Sequence, residues 1–152
     1  MFETGNLLLF KPFIFKNGAT PKNKFMVVLG QDAEGNTVLA SLPTSKDHVP
    51  SDVEVKSGCV DLPDRQVNVF VFPAHENVTI AQDGVNPFSF EVNTFIYGGD
   101  LDTYPVTTFQ QQISEKLAEV KLIGRINDGY WNSLKECLKN SKMVKNKFKR
   151  IL

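Results

Sequence analysis

Residues 7–30 read LLLFKPFIFKNGATPKNKFMVVLG, and the fold turns on how this stretch is read. Two apolar runs, LLLF…PFIF and FMVVLG, flank the polar, basic loop NGATPKNK at residues 17–24. Short runs rich in Val, Ile and Phe, bounded by Asn, Gly and Pro, read as β-strands, and the loop joins them. Pro12 has no N–H to give to a ladder, so the first strand either bends there or lies on a sheet edge.

The same texture continues to residue 97. NTVLASL, VEVKSGCV, QVNVFVFP and FSFEVNTFIY are strand-like runs separated by turn residues, and Gly35-Asn36 in QDAEGNT suits a hairpin. Several short strands with turns between them favour a barrel or a sandwich. From Thr107 the period becomes helical. Thr107 and Gln110 fit a capping box, and Phe109, Ile113, Leu117 and Val120 recur at helical spacing. After KLIGRI, Asn127 or Asp128 can cap a second helix, with Tyr130, Leu134, Cys137 and Leu138 on one face. Val144, Phe148 and Ile151 prolong that face, and Lys135, Lys139, Lys142, Lys145 and Lys149 form a basic stripe beside it. The expected organisation is a single domain over 1–152, mainly β with C-terminal helices: a β-barrel body at 1–106 and a helical segment at 107–152 ending in a basic tail.

A chain of 152 residues can bury one proper core. Its zero formal net charge conceals polarity: residues 1–115 hold 7 Lys/Arg against 14 Asp/Glu, and residues 116–152 hold 10 against 3. A basic segment on an acidic body suits a nucleic-acid or acidic-lipid contact, or attraction between the two parts. Cys59 and Cys137 have neither C-x-x-C nor histidine spacing, so no zinc site or disulfide framework is expected, and both thiols are read as reduced. MFETGNLLLF lacks the features of a secretory signal, and no apolar run reaches the ~18–20 residues of a membrane span. Together these lead to the expectation of a cytoplasmic protein without a metal or cofactor.

Three groups of residues could carry chemistry. Lys22 and Lys24 in NGATPKNK either hold phosphate at a strand entrance or belong to a solvated loop. LPTSKDH at 42–48 joins Thr44, Ser45, Lys46, Asp47 and His48. Its hydroxyls can donate to phosphate oxygens and a histidine is suited to moving protons, although Pro-Thr-Ser is also ordinary turn chemistry. The lysine stripe either binds RNA phosphates, an acidic partner or anionic lipid, or stays in water while its helix docks by the apolar side. Trp131 and Tyr130 read as packing, and His75 as a surface histidine after a strand. No P-loop, G-x-G-x-x-G, H-E-x-x-H or G-x-S-x-G occurs, which argues against nucleotide-dependent enzymes and serine hydrolases.

The order of segments carries a resemblance. GNLLLFKPFIFKNGATPKNKFMVVLG, NTVLASLPTSK, NTFIY and VKLIGRINDGYWNSLKECL together resemble the MazF/PemK family, toxin components of bacterial toxin–antitoxin systems, over about residues 5–50 and 90–140. The resemblance implies an SH3-like β-barrel, here with an inserted strand region at 50–90 and an extended C-terminal helix. It also implies a homodimer, an antitoxin partner, and metal-independent cleavage of single-stranded RNA by attack of a 2′-hydroxyl on the neighbouring phosphate. Lys24 stands at the family's main cationic position, an arginine followed by proline, and Phe25 replaces that proline. Thr44, with Ser45 beside it, stands at the family's hydroxyl position, and Asn6 where an aspartate is usual. The implied roles are Lys24 stabilising the phosphate and Thr44 with Ser45 positioning it; the residue pattern itself adds Asp47 or His48 for moving protons, and Lys22 with the C-terminal lysines for binding RNA. A lysine lacks arginine's planar fork, so the alternative is a non-catalytic module that holds a protein or nucleic-acid partner in its groove or on its basic helix.

Overall fold

The computed structural model describes residues 1–152. It is mainly β, with two antiparallel sheets and a few helices. The strands are β1 (Asn6–Phe13), β2 (Lys22–Gln31), β3 (Thr37–Ser41), β4 (Gly58–Leu62), β5 (Val67–Phe72), β6 (Thr94–Tyr97), β7 (Asp102–Pro105) and β8 (Glu119–Arg125). The helices are α1 (Val106–Ser114), α2 (Asp128–Lys139) and α3 (Asn146–Lys149). One sheet has the order β7-β3-β2-β1-β8, and the other β4-β5-β6. The named strands form no single closed sheet. The isolated pair Thr44↔Phe95 links the segment after β3 to β6.

The opening stretch has continuous apolar runs because its sheet is buried on both faces. Side chains alternate across a strand, so Leu7, Val27 and Leu29 enter one core while Leu8, Phe10, Met26 and Val28 enter another. The first core is shared with Phe70, Phe72 and Ile96 of the second sheet and with Leu134 and Leu138 of α2. The second core is closed by Val106 and Phe109 of α1. Strand β1 pairs with β2 on one side and β8 on the other, so it is not an edge. Pro12 instead marks an irregularity: Phe10 faces Lys24 and Phe13 faces Lys22, leaving two residues against one.

The C-terminal quarter departs most from expectation. The helix beginning near Thr107 stops at Ser114, and Val120 belongs to β8. Lys116 adopts a left-handed φ of 59°, its N–H donates to Ile113 O, and the Leu117 N–H donates to Gln112 O. That pair of bonds is the Schellman stop, formed here without its usual glycine. The expected Thr107 cap is also absent, because Pro105 precedes the first turn without a side-chain cap. Asn127 does cap α2, accepting from the Tyr130 N–H at 3.0 Å. The chain then leaves the helix after Lys139, so the expected long helix is two separate pieces, α2 and the four-residue α3. VEVKSGCV and FSFEVNTFIY likewise contribute only β4 and β6 from their second halves.

Cys59 and Cys137 form a disulfide that ties β4 to α2, which overturns the reading of two reduced thiols. Sequence separation of 78 residues conceals a Cα–Cα distance of 5.6 Å. The last residues dock on the same core through Val144 and Phe148, and Ile151 lies against Gly30. A Cβ at Gly30 would come within 2.7 Å of the Ile151 carbonyl oxygen, so only glycine admits this close approach. No helix is long and apolar enough to cross a membrane.

Candidate nucleic-acid cleft

Strand β2 begins with Lys22, Asn23, Lys24 and Phe25, and these residues line a cleft of about 540 Å³. Pro43, Thr44, Ser45 and Lys46 line it after β3, and Phe88 to Val92 with Thr94 complete it. A second hollow of about 460 Å³ lies beside the connection from β1 to β2 and the first residues of β2. Lys22 and Lys24 line both hollows, so these two cations at the start of β2 stand where the concave surfaces meet.

Lys24 is the half-buried member of the cluster. Burial pushes its pKa below the ordinary 10.5, and the neighbouring Lys22 and Lys46 charges push the same way. The chain's ion pairs lie elsewhere: the N-terminus with Glu3, Lys16 with Asp102, Lys56 with Glu54, and Arg65 with Asp52. Lys22, Lys24 and Lys46 thus share a concave surface without a carboxylate within ion-pair reach. Burying part of a cation among like charges costs free energy that an anionic ligand offsets.

The 43–48 segment is held on both sides. Thr44 and Phe95 exchange backbone bonds of 3.0 and 2.8 Å. The Thr44 hydroxyl accepts from the Lys46 N–H at 3.1 Å, which leaves its own O–H free to donate. Tyr97 donates its hydroxyl proton to Lys46 O at 2.7 Å and accepts from the His48 N–H at 2.8 Å. Burial is the main reason its pKa is raised, so the phenol keeps the proton this bond needs.

Among the residues singled out in the sequence, Lys22, Lys24, Thr44 and Ser45 are brought together. Asp47 and His48 sit on the adjoining loop, exposed, and do not line the cleft. Asp47 Oδ1 caps its own turn by accepting from the Val49 N–H at 2.9 Å. The carboxylate that does line the cleft is Glu91. Lys135 and Lys139 are on α2, Lys142 and Lys145 on the connection after it, and Lys149 ends α3. The expected continuous stripe is therefore split, and none of its lysines lines the cleft. His75 is exposed, and its N–H donates to Phe90 O at 2.8 Å.

Phe88, Phe90 and Glu91 escaped the sequence reading because FSFEVNTFIY reads as one strand. Its first half is instead an irregular segment tied to residues 75–79. Val78 N–H donates to Phe88 O at 2.7 Å, and Phe88 N–H donates to Thr79 Oγ1 at 2.8 Å. Nothing in the local pattern announces a cleft wall. No group of three or more His, Cys, Asp or Glu is placed to hold a metal ion. No protein-family model, curated protein or solved structure gives a significant match to this chain.

Proposed function

We propose that the cleft holds the sugar–phosphate backbone of single-stranded RNA, and that the chain is a divergent MazF/PemK-like protein on an SH3-like framework. The observation that supports this reading is the meeting of Lys22, Lys24 and Lys46, unpaired, with Thr44 and Ser45 in one cleft. Cations and hydroxyl donors together match the charge and lone pairs of a phosphodiester. In the proposed reaction the 2′-oxygen attacks phosphorus, the P–O5′ bond breaks, and a 2′,3′-cyclic phosphate and a 5′-hydroxyl result. Lys24 stabilises the charge that builds on the phosphoryl oxygens, and Thr44 and Ser45 orient them. Glu91 takes the 2′-hydroxyl proton, and the Lys24 ammonium supplies one to the departing oxygen.

A homodimer and a masking antitoxin are further parts of this proposal, carried by the resemblance. The same reading puts the working site in the cytoplasm. The Cys59–Cys137 disulfide pulls the other way, since such bonds persist mainly in oxidising compartments.

A second reading, a binding module without catalysis, is favoured by the position of Asp47 and His48 outside the cleft. Incubating excess protein with mixed-sequence RNA in chelator separates the two. Cleavage by the wild type, with products ending in cyclic phosphate and with loss in Lys24→Ala, supports the nuclease. Binding without cleavage supports the module, and neither binding nor cleavage removes the RNA proposal.

A further inference from the structure

The resemblance leaves two features unaccounted for: Phe25 where proline is usual, and the inserted residues at 50–90. In the structure these two meet. Phe25 packs against Phe88 with ring centroids 5.5 Å apart and against Phe90 at 5.1 Å. All three rings line the cleft that holds the unpaired lysines.

Phe90 is 3% exposed and forms the base of the group, whereas Phe25 and Phe88 are only partly buried. Phe88 stands edge-on to Phe90, at 5.1 Å and 88°, which sets the direction of its ring. The backbone beneath is pinned as well, by the Phe88 bonds to Val78 and Thr79 and by the His75–Phe90 bond. A pinned, partly exposed aromatic ring beside cations without an ion-pair partner matches a ligand with a flat apolar group joined to an anion. A nucleotide of an unpaired strand has that chemistry, and a duplex does not, because its bases are already stacked.

We infer that Phe88, backed by Phe25 and Phe90, is a nucleobase subsite on which one unpaired base stacks while its phosphate lies on Lys24. This rests on the phosphodiester reading of the cleft and adds to it the group that the insertion serves. Stacking on an aromatic ring tolerates any base, so the subsite confers a preference for single strands over duplexes rather than for one sequence.

The test uses fluorescence anisotropy with two labelled probes: a 2′-O-methyl oligouridine, which cannot be cut, and an abasic phosphodiester strand of equal length. Phe88→Leu keeps an apolar side chain without a flat ring, and Phe88→Tyr restores the ring. The expected result is at least about a fivefold loss of oligouridine affinity in Phe88→Leu, within the range of one lost stack. Abasic affinity stays unchanged, and Phe88→Tyr returns oligouridine affinity to within about twofold of wild type. Equal wild-type affinity for the two probes would overturn the subsite while leaving phosphate binding intact, as would an equal loss for both in Phe88→Leu. If the wild type bound neither probe, the phosphodiester reading would fall and the subsite with it.

Discussion

Two groups of lysines can be compared directly, those of the cleft and those of the C-terminal segment. The C-terminal group is larger and dominates the charge map of the sequence, yet Lys139, Lys142 and Lys145 are exposed beside a docked apolar face. Their neighbours Val144 and Phe148 are buried, and Lys145 and Lys147 each lie over the Phe148 ring, at 5.7 and 5.2 Å. Lys22, Lys24 and Lys46 are fewer, but they share one concave surface with hydroxyls and aromatic rings. The number of charges is thus a poor guide to a site. What distinguishes the cleft is that one of its cations, Lys24, is half-buried beside two like charges, so an anionic ligand there has more to offset.

The packing of the C-terminal segment carries the largest expected effect. If the segment's role is to dock by its apolar side, Phe148→Ala should destabilise the fold by about 3–5 kcal/mol, measured by urea unfolding. A change below about 1 kcal/mol would mean that the tail is not part of the core. Reducing the Cys59–Cys137 bond should cost about 2–5 kcal/mol of stability, since the bond closes a loop of 78 residues between β4 and α2. An unchanged unfolding midpoint with and without reductant would show that α2 is held by its packed face alone. Gly30→Ala should destabilise by about 1–3 kcal/mol, because the added Cβ meets the Ile151 backbone. Truncation before Ile151 should remove most of that penalty.

A smaller effect is expected at the cleft. The folded pKa of Lys24 lies below its unfolded value near 10.5, so between the two the folded chain holds fewer protons than the unfolded one. Its contribution to stability therefore rises with pH through that window, whereas the proposed RNA affinity should fall as the ammonium is lost. Affinity for a 2′-O-methyl strand should accordingly decline on the alkaline side before ordinary lysines titrate, and this limb should vanish in Lys24→Ala. A wild-type profile identical to that of the variant would assign the charge elsewhere.

Much of this arrangement can be read directly from residues. β1, β2, β3 and β5 are legible because their apolar runs are short and bounded by turn residues. The meeting of Lys24 with Thr44 and Ser45 is legible only through the order of segments, since 20 residues and a hairpin separate them. β8 is hidden because a helical period runs on through Leu117 and Val120, while the actual stop uses Lys116 in place of the glycine that usually marks it. The disulfide is hidden because spacing along the chain says nothing of distance in space. The aromatic wall is hidden because Phe88-Ser89-Phe90 alternates like a strand, although its partners are side chain and loop rather than a ladder.

We propose that the cleft, and not the basic tail, receives the nucleic acid. This is tested most directly by titrating a labelled, uncleavable single strand against three proteins across a range of salt: wild type, Lys24→Ala, and a variant with Lys139, Lys142, Lys145 and Lys149 changed to serine. The account predicts that Lys24→Ala loses about tenfold or more in affinity and reduces the salt slope by about 0.7, the value of one phosphate contact on a single strand. The tail variant should keep the wild-type slope and an affinity within about threefold, because lysines away from the site contribute only distant, screened charge. Unchanged affinity in Lys24→Ala, together with a collapse in the tail variant, would contradict it.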